Sequence, residues 1–278
     1  MNRLDRRFAA LAECGRRALI PYITAGHPHP DWTVDILHAA VSAGADVLEL
    51  GVPFSDVMAD GPVIQNACAR ALEAGTDFDR VLAMVEAFRR DDEDTPIVLM
   101  GYMNPIERRG QERFASQARQ AGVDAVLVVD CPADEAEPMR QCLAAEGLHQ
   151  IFLVAPTTTP ERLARICNLA GGFVYYVSLK GVTGAASLDL DSLAAPLSRL
   201  RKHAGLPIAV GFGIREPAQA AAVARMADGV VIGSALVNRL DRAGSAEQAV
   251  ELTGAFLGPV RAAMDAVGED RPASAVNH

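Results

Sequence analysis

Lysine is almost missing from this chain: of its 26 basic residues only Lys180 and Lys202 are lysines, which leaves two positions where a Schiff base could form. No C-x-x-C occurs, and Cys14, Cys68, Cys131, Cys142 and Cys167 are scattered singly. That pattern points to reduced, mostly buried thiols in a cytoplasmic protein, and against a disulfide framework or a zinc site. The net charge is −9 with no basic block, which argues against a nucleic-acid surface. No apolar run exceeds strand length, so no membrane span is expected. The opening "MNRLDRRFAALAECGRR" carries acids and lacks a secretory h-region, so it reads as neither a signal nor a transit peptide. His27, His29, His38, His149 and His203 fall in neither H-x-x-x-H nor H-E-x-x-H spacing, so metal is poorly supported. His27 and His29 flank a proline and are expected as exposed loop residues.

What the chain has is apolar residues, half of its 278, enough for one large core. Eight short β-rich runs recur: "ALIPYIT" (18–24), "DVLEL" (46–50), "PIVLMG" (96–101), "DAVLVV" (124–129), "QIFLVA" (150–155), "FVYYVS" (173–178), "PIAVGF" (207–212) and "GVVIG" (229–233). Most are almost continuously apolar, as strands covered on both faces must be. Amphipathic stretches such as "DFDRVLAMVEAFRR" separate them, several opening on Asp, Thr or Pro and ending near Gly. This alternation predicts a (β/α)₈ TIM barrel with extra helices. The long gap after strand two predicts an insertion there. A doubly wound sheet is weaker, because no G-x-G-x-x-G follows the first strand. One domain over 1–268 is expected, with a frayed tail at 269–278.

In such a barrel the chemistry sits at the C-terminal ends of the strands. Glu49 closes the second strand, and Asp60 follows in a loop broken by Gly and Pro, "ELGVPFSDVMADGP". Glu49 could be a carboxylate paired with an Arg, and Asp60 a turn residue. As a functional pair, Glu49 would have its pKa raised by the apolar strand end and serve as a general acid/base near neutrality. Asp60, on a more solvated loop, would stay ionised. "SLKGVTGA" (178–185), "VGFGIREP" (210–217) and "VVIGSALV" (230–237) are Gly-rich turns after strands six, seven and eight, with Gly213, Gly233 and Ser234 placed to form an anion cradle. Each glycine alone could be a plain turn; three such loops in order favour a phosphate. Lys180 reads as a surface or phosphate-side lysine before a nucleophile. Tyr22, Met100, Tyr102, Phe152 and Phe212 sit at or just past strand ends, either as core or as a flat pocket for an aromatic ligand.

The motifs "ELGVPFSD..ADGP.IQ", "MGYMNP", "GVTGA", "GFGI" and "IGSA" closely resemble those of the tryptophan synthase alpha chain, over about Ala18 to Leu240. The resemblance implies a barrel enzyme that cleaves indole-3-glycerol phosphate to indole and glyceraldehyde 3-phosphate, the indole passing to a β chain in an α2β2 assembly. Pyridoxal phosphate would belong to that β partner and no cofactor to this chain. By resemblance Glu49 is the general acid/base and Asp60 the carboxylate on the indole N–H. Tyr175 supports Asp60, and Thr183 closes over the site. Gly184, Gly213, Gly233 and Ser234 hold the phosphate, and Tyr22, Met100 and Tyr102 line the indole pocket. One departure stands out: Val57-Met58 occupies the place where the family usually has Pro-Leu, which implies a less stiff loop on the face turned to the β chain. A stand-alone lyase, a silent activating subunit and a phosphate-sugar isomerase are the competing readings.

Overall fold

The computed structural model describes residues 1–177, 191–211 and 213–269. Eight parallel strands close into a barrel in sequence order: β1 (Ala18–Thr24), β2 (Leu48–Gly51), β3 (Ile97–Gly101), β4 (Ala125–Val128), β5 (His149–Val154), β6 (Val174–Val177), β7 (Ile208–Gly211) and β8 (Gly229–Ile232). The continuous apolar runs follow from burial on both faces, and alternation divides each run between two cores. Ile20, Val98, Leu127, Ile151, Ala209 and Val231 fill the inside of the barrel. Leu19, Leu50, Leu99, Val126, Val210 and Ile232 pack outward against the helices.

The amphipathic opening becomes α1 (Arg3–Glu13), whose Leu4, Phe8 and Leu11 join the inner core. Phe8 meets Phe173 with ring centroids 5.6 Å apart, so α1 plugs one end and leaves the mouth at the other. The remaining helices are α2 (Thr33–Ser42), α3 (Pro62–Glu73), α4 (Phe78–Arg89), α5 (Met103–Arg109), α6 (Gln111–Ala121), α7 (Glu137–Ala145), α8 (Pro160–Leu169), α9 (Asp191–His203), α10 (Pro217–Ala224), α11 (Ser234–Leu240) and α12 (Ala246–Glu269). The insertion after β2 is the pair α3 and α4. A second pair, α5 and α6, follows β3, divided at Gly110 with φ +89°. Thr159 caps α8 by accepting from the Arg162 N–H, with Pro160 in the first turn. Glu269 closes α12, so the helix takes the first residue assigned to the tail; residues 270–278 lie outside those described.

Three aspartates brace the plugged end, each just before an even-numbered strand. Asp46 accepts the Leu19 N–H of β1 at 2.9 Å and pairs with Arg261 at 3.0 Å. Asp124 accepts the Ile97 N–H of β3 at 2.9 Å and pairs with Arg89 at 3.0 Å and Arg3 at 3.1 Å. Asp228 accepts the Ile208 N–H of β7 at 3.0 Å and pairs with Arg201 at 3.1 Å. Each carboxylate crosses to a neighbouring strand, so the braces staple strand pairs far from the mouth. The five cysteines are free thiols: Cys68 and Cys131 buried, Cys142 and Cys167 half-buried, Cys14 exposed.

Removing Asp124 leaves Arg89, only 10% exposed, and the Ile97 N–H without their carboxylate. Asp124→Ala is expected to lower unfolding stability by ~3–5 kcal/mol, the cost of breaking a buried ion pair. Urea denaturation of variant and wild type checks this.

Candidate active site

β2 reads Leu-Glu-Leu-Gly. Leu48 and Leu50 face the helices, so the strand period turns Glu49 into the barrel. It is 1% exposed, level with Tyr22 on β1 and Val98 on β3. Its Oε1 has no hydrogen-bond partner among the described residues. Loss of water is the main cause that raises the Glu49 carboxyl to about 8, and the nearby charge of Asp60 adds to it. A group poised there can both take and give a proton near neutral pH.

Asp60 lies in the loop that leaves β2. Tyr102, just past β3, donates its hydroxyl proton to Asp60 Oδ2 at 2.7 Å, and the Ala59 N–H donates to the same hydroxyl at 3.3 Å. Burial raises the Asp60 carboxyl, and the Tyr102 hydrogen bond pulls it back toward the ionised form. Asp60 is therefore half-buried where the sequence suggests a more solvated loop. The tyrosine bonded to it is Tyr102, which the resemblance places in the indole pocket, and not Tyr175. The Tyr175 phenol is pushed up by burial and then by the charges of Glu49 and Asp60. Tyr22 is pushed up by burial, and Asp60 and Glu49 act on it too.

Two glycines make room for those phenols. A Cβ at Gly51 would fall 2.1 Å from the Tyr22 hydroxyl, and one at Gly211 would fall 2.2 Å from the Tyr175 hydroxyl. β2 and β7 thus end on glycine because a tyrosine from the adjacent strand leans across each. Thr24 donates to the Tyr22 hydroxyl at 3.2 Å. Thr24 and Gly51 are not candidate residues by their local sequence; a glycine ending a buried strand beside a tyrosine-bearing one is the signal that marks them.

Met100 and Tyr102 pack with Tyr22 and Val57 in one apolar cluster at the mouth, and Phe54 lies 5.7 Å from the Tyr102 ring. Val57 is buried, whereas Met58 beside it is 75% exposed. Gly213 sits at φ +74°, a conformation glycine adopts freely, and Gly233 caps α11, whose first residue is the exposed Ser234. Thr183, Gly184, Lys180 and Phe212 lie outside the described residues.

His29 is exposed as expected, but His27 is not: it is 2% exposed and its Nε2 lies 3.1 Å from Asp241 Oδ1 at the end of α11. Burial lowers the His27 pKa and outweighs the Asp241 carboxylate, which partners only Nε2 of the ring. Among the described residues no group of three or more His, Cys, Asp or Glu side chains is arranged to hold a metal ion.

The family model of the tryptophan synthase alpha chain matches residues 8–264, which takes in every strand. The chain belongs to the tryptophan synthase alpha chain family. It is 57% identical over 266 residues to the tryptophan synthase alpha chain of Laribacter hongkongensis, covering 96% of this chain and 100% of that one. The tryptophan synthase subunit alpha of Legionella pneumophila superposes with a TM-score of 0.90 at 45% identity, over 96% of this chain and 99% of that one. A chain of the tryptophan synthase a2b2 complex of Pyrococcus furiosus gives 0.81 at 39% identity, over 88% and 98%. Membership spans the mouth as well as the scaffold, since Glu49, Asp60, Tyr102, Tyr175 and Gly233 all fall inside the matched residues.

The raised Glu49 carboxyl has a consequence for stability. Between the ordinary carboxyl range, near pH 4.5, and about pH 8, the folded chain keeps a proton that the unfolded chain has released. Stability contributed by the neutral acid is therefore lost as pH rises through that window. Glu49→Gln has no such proton to lose. It is expected to unfold at higher urea than wild type at pH 8, with the difference shrinking toward pH 5.

Proposed function

We propose that Glu49 and Asp60 carry out the retro-aldol cleavage of indole-3-glycerol phosphate to indole and D-glyceraldehyde 3-phosphate. The observation that carries this reading is the pair itself: a buried carboxyl raised to about 8, beside a second carboxyl held by Tyr102. The reaction breaks the bond between indole C3 and the side chain. C3 must gain a proton, the adjacent side-chain hydroxyl must lose one, and the electron pair of the broken bond returns to the ring. Protonation at C3 places positive charge on the ring nitrogen. Asp60 stabilises that charge through the N–H, and Glu49 moves the protons, giving one to C3 and taking one from the hydroxyl. Every step is a proton transfer or a bond cleavage, so the chemistry calls for no cofactor in this chain.

The apolar cluster of Tyr22, Met100 and Tyr102 suits a flat ring, and the Tyr175 phenol on β6 feels the charge of both acids. The phosphate end falls to Gly213, Gly233 and Ser234, with Gly184 joining them by resemblance; Thr183, by resemblance, would close over the site, and Phe212, at the end of its β-rich run, would line the ring pocket. Backbone N–H groups at the turns after β7 and β8 would supply most of the hold. A β-chain partner in an α2β2 assembly is supported by the likeness to a chain of the Pyrococcus furiosus a2b2 complex, with cytoplasmic residence proposed alongside it; Met58, exposed in the loop that carries Asp60, is an apolar group such a partner would cover. Pyridoxal phosphate would then act only in that partner.

Indole release from indole-3-glycerol phosphate tests the reading, with the purified chain alone and with a saturating β chain. Cleavage in both settings supports the proposed enzyme, and a rise on adding the β chain separates a subunit from a stand-alone lyase. No indole in either setting contradicts it. Glu49→Gln is expected to lose ~10²–10⁴-fold in kcat while still binding substrate, because an amide cannot exchange the proton. Ser234→Ala is expected to raise KM with kcat nearly unchanged, since one hydrogen bond to a charged group is worth ~1.5–3 kcal/mol.

A further inference from the structure

Gln65 ends the "ADGPVIQ" stretch in the first turn of α3, and the roles given to Glu49 and Asp60 leave it without a task. Its side chain is exposed, yet it turns back onto the loop. Nε2 donates to the main-chain oxygen of Asp60 at 2.9 Å and to that of Val57 at 3.4 Å. Both acceptors are carbonyls, so only the amide NH₂ can face them, and the orientation of the carboxamide is fixed by chemistry. The Val57 oxygen also accepts the Asp60 N–H at 3.2 Å, which closes the turn on itself. Tyr102 holds the far end, at the carboxylate. Behind Gln65, Ile64, Ala67 and Cys68 are buried, so α3 is a firm base for the carboxamide.

We propose that Gln65 is a positioning residue that clamps the turn from Val57 to Asp60 and so sets where the Asp60 carboxylate meets the indole nitrogen. The inference rests on the cleavage reaction proposed above. A displaced carboxylate weakens the transition state most, because positive charge on the ring nitrogen is greatest there, so the loss falls in kcat. Glu49 senses the same displacement, since the Asp60 charge helps keep its proton on.

The test compares Gln65→Ala and Gln65→Glu with wild type in full-length chain. Gln65→Ala removes the donor; Gln65→Glu keeps the shape but sets a carboxylate against two carbonyls. Gln65→Ala is expected to lower kcat by up to about tenfold with KM within about twofold, the range of a single hydrogen bond. Gln65→Glu is expected to fall further, and in the neutral variant Gln65→Ala the limb of the kcat–pH profile set by Glu49 moves to lower pH. The melting temperature of Gln65→Ala stays close to that of wild type. Unchanged kcat in both variants with an unmoved limb in Gln65→Ala would overturn the proposal, and so would a kcat loss in Gln65→Ala that tracks a lower melting temperature with the limb unmoved. Failure of wild type to release indole would fall on the reaction and not on the clamp. The clamp is then read by NMR titration of the Asp60 carboxyl, which Gln65→Ala shifts toward the ordinary solvated range if Gln65 positions it and leaves in place if it does not.

Discussion

The structure turns on one desolvated carboxyl. Glu49 projects into a barrel whose other inward residues are almost all apolar, and its Oε1 has no partner among the described residues. A buried polar group without a partner is costly to a fold. The barrel tolerates it because stability is supplied elsewhere. α1 plugs the opposite end, and the Asp46, Asp124 and Asp228 braces tie strands together there, distant from the mouth. Stability and reactivity are thus separated along the barrel axis, the division expected of this architecture.

The second acid is handled differently. Asp60 is placed by a loop, and a loop holds a geometry only through its contacts. Replacing the usual Pro-Leu by Val57-Met58 removes a stiff φ, which from sequence suggests a wider conformational range. The fold supplies other restraints: the Val57 side chain is buried among Tyr22, Ile64 and Tyr102, and its carbonyl accepts two donors. Burial and hydrogen bonds here replace ring constraint. Met58 is left free at the tip, an apolar group turned outward beside the acid that the chemistry needs.

The strands and the two acids were legible from sequence because they are written in local pattern: apolar runs with a fixed period, and a carboxylate ending one of them. The pair α5 and α6 was less legible, since "NPIERRGQERF" offers little apolar periodicity and the break depends on Gly110 at positive φ. His27 was misjudged because its hydrogen-bond partner, Asp241, lies 214 residues away. The same holds for Tyr102, whose bond to Asp60 spans 42 residues. Partners brought together by barrel closure leave no mark in neighbouring residues. Gly51 and Gly211 show the converse: each looks like an ordinary strand-ending glycine, and the reason for it sits on the adjacent strand.

The central claim is that burial, helped by Asp60, keeps Glu49 protonated up to near neutrality and above. Carboxyl-carbon NMR titration of Glu49, in wild type and in Asp60→Asn, tests it directly. The account predicts a midpoint near 8 in wild type and a lower one in Asp60→Asn, because burial remains while the neighbouring charge is gone. A Glu49 midpoint in the ordinary carboxyl range, unchanged by Asp60→Asn, would contradict it.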